Sequence, residues 1–238
     1  MKQIFSFGNF AGMKLVLLLA MTGCASKTAP VLSTNEPAVL RNEPSLSPTN
    51  SAAPSEIALF NGKDLHGWRE TDFGGHGQIV VKDGEIIINM GAELTGIKWT
   101  NAAVLPKTNY EIELDVKKLV GNDFFCGLTF PVGNSFCSLI VGGWGGSVVG
   151  ISSLDGADAS ENDTSKGLFF ERNHWYHIRV RVTPEKIMTW IDQDETVNVK
   201  IAGRKVSMRT GEIEESIPLG IATWQTSSAL KNIRLKTF

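Results

Sequence analysis

A strict alternation of apolar and charged residues runs through Tyr110-Glu111-Ile112-Glu113-Leu114-Asp115-Val116-Lys117. Side chains of a β-strand point to opposite faces in turn, so this stretch predicts a strand with one buried and one charged face. Tyr176-His177-Ile178-Arg179-Val180-Arg181-Val182 has the same pattern, with basic residues on its polar face. Opposite charges on facing strands contribute about 0.2–1 kcal/mol per pair. The two stretches are therefore expected to be neighbours in one sheet.

Further strands are expected on both sides of this pair. A hairpin is predicted at residues 78–82 and 85–89, because Asp83-Gly84 suits the positive φ angles of a type I′ turn. Other apolar runs predict strands at 124–130, 136–141, 148–153, 186–191, 196–201, 219–224 and 230–236. No segment has a sustained helical period. Many short strands separated by turns predict an all-β fold of two sheets, a sandwich or jelly roll.

The first 23 residues predict a lipoprotein signal peptide. Two lysines precede the apolar run 15–20, and Met21-Thr22-Gly23 then leads to Cys24. The run is far shorter than the roughly 20 residues that span a bilayer as a helix, and small residues before a cysteine suit lipoprotein processing. We expect Cys24 to be lipidated and the domain to lie outside the cytoplasm. Ala25, where an aspartate would favour the inner membrane, favours the outer membrane. An ordinary secretory signal is the alternative.

Residues 24–55 are expected to form a disordered tether, because they hold five of the nine prolines among Ser, Thr, Asn and Ala. Residues 56–238 are long enough to bury one core and are assigned to one domain. The net charge is only -2 and no cluster of basic residues is present. The chain therefore lacks the electrostatic footprint of a nucleic-acid-binding protein.

Lipidation of Cys24 would leave Cys126 and Cys137 as a pair in an oxidising compartment. Each lies in an apolar run, with a turn between them. A hairpin centred between residues 131 and 132 would place the two cysteines opposite each other, whereas one centred on residues 133 and 134 would offset them by about four residues. Both a disulfide and two buried free thiols remain open from the sequence.

An acidic loop at residues 155–163 contains oxygen ligands of the kind that calcium takes, although its spacing departs from the EF-hand pattern. Asp155 and Asp158 are the candidate calcium ligands, and a solvated loop without metal is the alternative. The four histidines are scattered, and the motifs of zinc proteases, serine hydrolases and phosphate loops are missing from the sequence.

Trp144 is the tryptophan with the clearest candidate role. It lies in Gly142-Gly143-Trp144-Gly145-Gly146, where a ligand could approach the backbone closely. Aromatic faces stack on the C–H faces of sugars as well as filling cores. Arg209 and Trp224 are further candidates to line a sugar site, with a surface ion pair and a core position as their alternatives.

The start of the domain resembles a known family. Leu59-Phe60-Asn61-Gly62-Lys63-Asp64-Leu65-His66-Gly67-Trp68 is similar to the opening signature of the 3-keto-disaccharide hydrolases, also described as 3-keto-glucoside 1,2-lyases and 3-keto-2-hydroxy-glucal hydratases. Val81-Lys82-Asp83-Gly84-Glu85, the charged strand at Tyr110 and His174-Trp175-Tyr176 extend the resemblance over the domain. It implies a concanavalin-like or laminin-G-like jelly roll and a setting in bacterial glycan metabolism.

The chemistry implied by the resemblance is elimination. A C3 ketone acidifies the C2 proton, a base removes that proton, and the C1 substituent leaves before water adds. Asp155 and Glu161 are the expected catalytic carboxylates, with calcium as the candidate cofactor. The candidate substrate-binding residues are Asp123, Trp144, Asn162, Arg209 and Trp224.

The sequence departs from the family where its polar residues are expected. Family members usually carry an Asn-Ser-Gly stretch that ends in arginine, followed by a Glu-x-Gln strand. Here residues 122–131 contain no arginine, and residues 138–142 contain neither Glu nor Gln. This departure favours the alternative function, a carbohydrate-binding lipoprotein without catalysis.

Overall fold

A computed structural model describes residues 55–238, and every structural statement below refers to that part of the chain. The predicted signal peptide and Cys24 lie outside the described residues, as does the predicted tether except for Ser55, which already belongs to a strand. Within the described residues, no helix has the length and apolar character needed to cross a membrane.

Fifteen strands, all paired antiparallel, make up the fold. In chain order they are β1 (Ser55–Ala58), β2 (Trp68–Glu70), β3 (Ile79–Lys82), β4 (Glu85–Ile88), β5 (Leu94–Trp99), β6 (Tyr110–Gly121), β7 (Cys126–Val132), β8 (Ser135–Gly142), β9 (Val148–Ser152), β10 (Lys166–Gly167), β11 (Trp175–Val182), β12 (Lys186–Ile191), β13 (Asp194–Lys200), β14 (Gly220–Trp224) and β15 (Thr226–Thr237). Two short 3₁₀ helices lie at Ala102–Val104 and Glu212–Ser216.

The first sheet has the order β13-β12-β11-β6-β15-β4-β3, and β1 pairs with one end of β15. The predicted pairing of the two charged stretches is confirmed, because β6 and β11 are neighbours. Their register places His177 opposite Asp115 and Arg181 opposite Glu111. The His177 Nδ1 atom lies 2.8 Å from Asp115 Oδ1, and Arg181 Nη2 lies 2.8 Å from Glu111 Oε2. The polar faces thus meet on the outer side of the sheet, through a hydrogen bond at His177 and an ion pair at Arg181.

The second sheet has the order β10-β9-β8-β7-β14-β5-β2. Its inner side chains pack against those of the first sheet and form one apolar core, with Ile112, Leu114, Ile178 and Val180 from the first sheet and Leu128, Phe130, Leu139, Ile151 and Ile221 from the second. The hydroxyl of buried Tyr110 donates a hydrogen bond to the Pro131 carbonyl across this core. The architecture is the predicted jelly-roll sandwich.

Two loops pack on the outer face of the second sheet, and small residues make room for them. A Cβ at Gly150 in β9 would lie 3.0 Å from the Ala159 carbonyl oxygen. A Cβ at Gly220 in β14 would lie 2.6 Å from the Ser216 carbonyl oxygen. Residues around 159 and 216 therefore cover part of this face, and the uncovered part forms a cleft.

The register of β7 and β8 decides the state of the two cysteines. Val132 pairs with Ser135, which centres the turn on residues 133 and 134. Cys137 therefore faces Phe130, four residues from Cys126, and both cysteines are free and buried. The disulfide alternative is wrong. Burial raises the pKa of the Cys126 thiol to about 12, and that of Cys137 well above its ordinary value.

Candidate functional site

A cleft of about 410 Å³ opens on the outer face of the second sheet. Strands β5, β8, β9 and β14 form its floor, and the segments around residues 123, 144 and 211 form its walls. The cleft is lined by Glu93, Leu94, Asp123, Phe124, Ser138, Ile140, Trp144, Ser152, Arg209, Thr210, Gly211, Glu212, Ile213 and Trp224. Four of the five predicted substrate-binding residues are thus brought together, although they are spread over about a hundred positions in the chain.

The apolar side of the cleft is a cluster separate from the main core. Buried Phe73, Leu94 and Ala222 form this cluster, and half-buried Trp224 packs on it together with Phe124 and Ile213. Trp224 also lines the cleft. The core position weighed for Trp224 is therefore only partly correct.

Trp144 lies in a left-handed turn. Its backbone has φ 48° and ψ 57°, and the flanking Gly142 and Gly145 have φ values of 78° and 87°. A Cβ at Gly142 would lie 2.9 Å from the Phe125 ring. The glycines are required mainly by this backbone conformation and by close packing. The turn leaves Trp144 40% exposed, so part of its side chain is available to a ligand.

Asp123 fastens this turn to the end of β6. Its Oδ1 atom accepts a hydrogen bond of 2.8 Å from the Phe124 N–H, and Oδ2 accepts one of 3.2 Å from the Gly145 N–H. A carboxylate offers about four acceptor positions. The side chain therefore both holds the turn that carries Trp144 and keeps acceptor capacity toward the cleft.

Arg209 is positioned by a carboxylate at the edge of the cleft floor. Asp158 Oδ2 lies 2.9 Å from Arg209 Nη1, while Asp158 Oδ1 accepts hydrogen bonds from the hydroxyls of Ser152 and Ser153 at 3.1 and 2.9 Å. The guanidinium carbon lies 5.8 Å from the centroid of the Trp144 ring. A guanidinium group has five N–H donors, so Arg209 keeps donors for a ligand.

A family model described as a 3-keto-alpha-glucoside-1,2-lyase-like domain matches residues 55–236. The chain belongs to this family. The match confirms the family resemblance of the sequence and begins at Ser55, the first residue of β1. A search of curated proteins gave no significant match.

Several solved structures are similar to this chain. A putative glycosyl hydrolase from Parabacteroides distasonis has 15% identity and a TM-score of 0.49, with 77% of this chain and 94% of that chain covered. The carbohydrate binding module CBM66 from Bacillus subtilis has 13% identity and a TM-score of 0.48, with 71% and 94% covered. A Bacillus licheniformis beta-glucanase has 11% identity and a TM-score of 0.49, with 79% and 99% covered. At such identities the similarity concerns the fold alone.

The two carboxylates expected to be catalytic do not line the cleft of this family member. Asp155 accepts hydrogen bonds from the Lys205 N–H at 2.8 Å and from Arg204 Nε at 2.7 Å, and these contacts, in that order, lower its pKa. Glu161 is exposed in the same acidic loop. The structure therefore does not support either residue as the base.

Asn162 holds the acidic loop together instead of facing the cleft. Its amide nitrogen donates to the carbonyls of Ile151, Ala157 and Asp158 at 2.7, 3.0 and 2.9 Å. Its Oδ1 atom accepts from the N–H and hydroxyl of Thr164 at 2.9 and 2.6 Å. All of its polar capacity is used by the loop, by β9 and by Thr164, so the structure corrects its predicted role as a substrate ligand.

The predicted calcium ligands point to different partners. Asp155 is paired with Arg204, and Asp158 is paired with Arg209. In residues 55–238 no three His, Cys, Asp or Glu side chains converge as metal ligands do. The acidic loop is stabilised by arginine, so its geometry does not fit the predicted calcium site.

Sequence reasoning missed Glu93, Glu212, Ser138 and Ser152. The two glutamates come from segments more than a hundred residues apart, and no local pattern marks them. The two serines face each other on β8 and β9. Polar residues at alternate positions of otherwise apolar strands were the available signal for them.

Proposed function

We propose that this domain binds a saccharide in the cleft and acts on a 3-keto-glycoside by elimination. Family membership supports the substrate class. The observation that carries the proposal is the meeting of two tryptophans, a carboxylate and an arginine in one cleft, namely Trp144, Trp224, Asp123 and Arg209. Aromatic rings bind the C–H faces of a pyranose, and the polar groups face its ring oxygens and hydroxyls.

Asp123 is the proposed base. It removes the C2 proton, which the neighbouring C3 ketone has acidified, while Arg209 donates hydrogen bonds to the ketone oxygen and stabilises the developing enolate. The electron pair of the C2–H bond then forms the C1=C2 double bond as the C1–O bond breaks. The departing oxygen takes a proton from Glu212 or Glu93 at the rim or from water. Water adds to the unsaturated product in a second step.

A carbohydrate-binding domain without catalysis is the second candidate. A specific observation favours it. Asp123 and Arg209 each contact a partner within the protein, and these contacts fix the walls of the cleft. Asp123 binds the backbone of the Trp144 turn, and Arg209 is paired with Asp158. In this candidate function the same residues present a fixed aromatic surface to a sugar.

Proton exchange at C2 tests the reaction directly. The domain is incubated with a 3-keto-α-glucosyl disaccharide in D₂O, and loss of the C2–H signal and release of the second sugar are followed by NMR. Asp123→Asn should lower turnover by about 100-fold or more, as expected for loss of a general base. Glu161→Gln is the matched control, since it removes a carboxylate outside the cleft, and it should leave turnover unchanged.

Three outcomes are separated by this experiment. Turnover that depends on Asp123 supports the enzyme. Saturable sugar binding without exchange or release supports the second candidate. The absence of both binding and turnover would refute the proposal for the cleft as a whole.

We further propose that the domain acts at the cell envelope, outside the cytoplasm, held by a lipid on Cys24. The signal-like segment and the cysteine at its end support this location. In cells, Cys24→Ser should move the full chain from the membrane fraction to the soluble fraction. Unchanged membrane association of that variant would contradict the lipid anchor.

A further inference from the structure

Two cationic side chains without a carboxylate partner meet at the C-terminal end of β6. Lys118, on this strand, is only 7% exposed, and Arg172 lies in the loop before β11. Other basic residues of the same sheet are paired, as Arg181 is with Glu111 at 2.8 Å. In the part of the chain that the structure describes, no carboxylate lies within ion-pair distance of Lys118 or Arg172.

The Arg172 side chain runs along the end of β6. Its chain neighbour Asn173 donates a backbone hydrogen bond of 2.8 Å to the Lys118 carbonyl. Arg172 Nη2 donates to Asn122 Oδ1 at 3.1 Å and to the Gly121 carbonyl at 3.4 Å. Its Nε and Nη1 atoms have no partner among the described residues, so three N–H donors of the guanidinium group remain.

Lys118 belongs to the inward-facing residues of β6. Side chains of a strand alternate between its faces, so Lys118 shares a face with Val116, a residue of the main core. The Lys118 Nζ atom lies 5.9 Å from the centroid of the buried Phe125 ring. Within residues 55–238 no hydrogen-bond acceptor contacts this atom, so the three donors of the ammonium group are unused.

The position of Lys118 is unfavourable for a cation that has no counter-ion. Burial first, and the charge of Arg172 second, lower the pKa of Lys118. Both effects disfavour the charged ammonium group. Removal of a cation from water costs free energy unless an ion pair or hydrogen bonds compensate it. An anion that contacts both Lys118 and Arg172 would supply this compensation to the two residues at once.

We propose that Lys118 and Arg172 form a binding site for a phosphate group. A phosphate monoester carries a charge of about −1.5 to −2 at pH 7, so one group balances both cations. The unused donors of the guanidinium and ammonium groups bind its oxygens through charge-assisted hydrogen bonds. Neither residue lines the cleft, so this site is independent of the function proposed there.

Exposed apolar side chains lie close to this site in the chain. Val120, two residues after Lys118, is 53% exposed, and Phe169, three residues before Arg172, is 85% exposed. A lipid headgroup at a membrane surface and a soluble phosphate ester present the same phosphate chemistry to Lys118 and Arg172. The apolar side chains would contact only the lipid, so the experiment includes vesicles as well as a small ligand.

The test measures binding of methyl phosphate to the domain at low ionic strength, by calorimetric titration and by thermal unfolding. Two charge-assisted contacts imply a Kd of about 1 mM. At about ten times this concentration, Tm should rise by about 3–6 °C relative to chloride of equal ionic strength.

Two variants remove one cation each. Lys118→Met should abolish the shift caused by methyl phosphate and should raise Tm without ligand, because it removes a buried, uncompensated charge. Arg172→Gln keeps a donor for Asn122 at an exposed position and should weaken binding about tenfold or more. Lys117→Met is the matched control. Lys117 is on the opposite face of β6, where its Nζ atom lies 3.6 Å from Glu85, and its loss should leave the affinity for methyl phosphate unchanged.

No binding of methyl phosphate by the wild-type domain would overturn the site. So would equal losses of affinity in Lys118→Met and Lys117→Met, because they would reflect net charge alone. Arg172→Gln tests the site even where Lys118→Met does not fold, and unchanged affinity in that variant would also overturn it. Sedimentation with vesicles that contain phosphatidic acid, lost in Arg172→Gln, would support the site with a lipid as its ligand. Binding of methyl phosphate alone would support it with a soluble ester.

Discussion

Asn162→Ala should destabilise the domain by about 2–3 kcal/mol, although Asn162 lies in a loop. Its amide nitrogen contacts the carbonyls of Ile151, Ala157 and Asp158, and its oxygen accepts two hydrogen bonds from Thr164. Two amide hydrogens and two accepted bonds, at about 1 kcal/mol each, set an upper value of about 4 kcal/mol. Water that enters the half-buried loop recovers part of this loss.

Urea and thermal unfolding, followed by tryptophan fluorescence, measure this change. For a domain of this size 1 kcal/mol lowers Tm by about 2–4 °C, so a decrease of about 5–10 °C is expected. Asn162→Asp should destabilise the domain more than Asn162→Ala at neutral pH. It keeps the acceptor for Thr164 but turns a carboxylate oxygen toward three carbonyl oxygens.

The control for both variants is Asn198→Ala, which removes only an exposed contact with Glu195 and should change stability by less than about 0.5 kcal/mol. The reasoning is refuted if Asn162→Ala stays within that margin. It is also refuted if Asn162→Asp is more stable than Asn162→Ala.

Native Cys126 and Cys137 should not react with a thiol reagent at pH 8, because burial raises the pKa of Cys126 to about 12 and that of Cys137 well above its ordinary value; both should react after unfolding, and rapid labelling of the native domain would contradict their burial. Asp155→Asn should flatten the loss of stability in acid. Contacts with Lys205 and Arg204 lower the pKa of Asp155 in the folded state. The contribution of Asp155 to the free energy of unfolding is therefore complete above its unfolded-state pKa of about 3.9, and it disappears as pH falls through the folded-state pKa. Urea midpoints of variant and wild type should converge below about pH 4, and a constant difference would argue against this linkage.

The alternation of apolar and polar residues was sufficient to predict a strand where one face of the strand meets water and the other meets the core. The alternating charged residues of β6 and β11 predicted that the two strands are neighbours and that acidic side chains of one face basic side chains of the other. Strand β5 escaped prediction because both of its faces are covered. Ile97 faces the main core and Leu94 the smaller apolar cluster, while Lys98 pairs with Glu215 of the covering loop at 3.3 Å. Such a strand has no solvent face to produce an alternation.

The site could be predicted only where a residue stood out by itself. Trp144, in its frame of glycines, was found in this way, and it does lie in the cleft. Asp155 and Glu161 were chosen because they are neighbours in an acidic loop, which says nothing about the side chains that face them. The partner that occupies Asp155, Arg204, lies 49 residues further along the chain. Contacts over such separations depend on the fold and leave no local pattern.

The pairing of β1 with the far end of β15 determines at which end of the domain its first described residue, Ser55, lies. Thr226, at the start of β15, exchanges hydrogen bonds with the backbone of Asp123 at the cleft, whereas Thr237 at the other end pairs with Ser55. The twelve residues of β15 rise by about 3.3 Å each, which separates the two points by roughly 35 Å. The described domain therefore begins, at Ser55, at the end that is remote from the cleft. On a biosensor chip or a bead attached at Ser55, the cleft would face the solution, and a long polysaccharide could enter it without contacting the support.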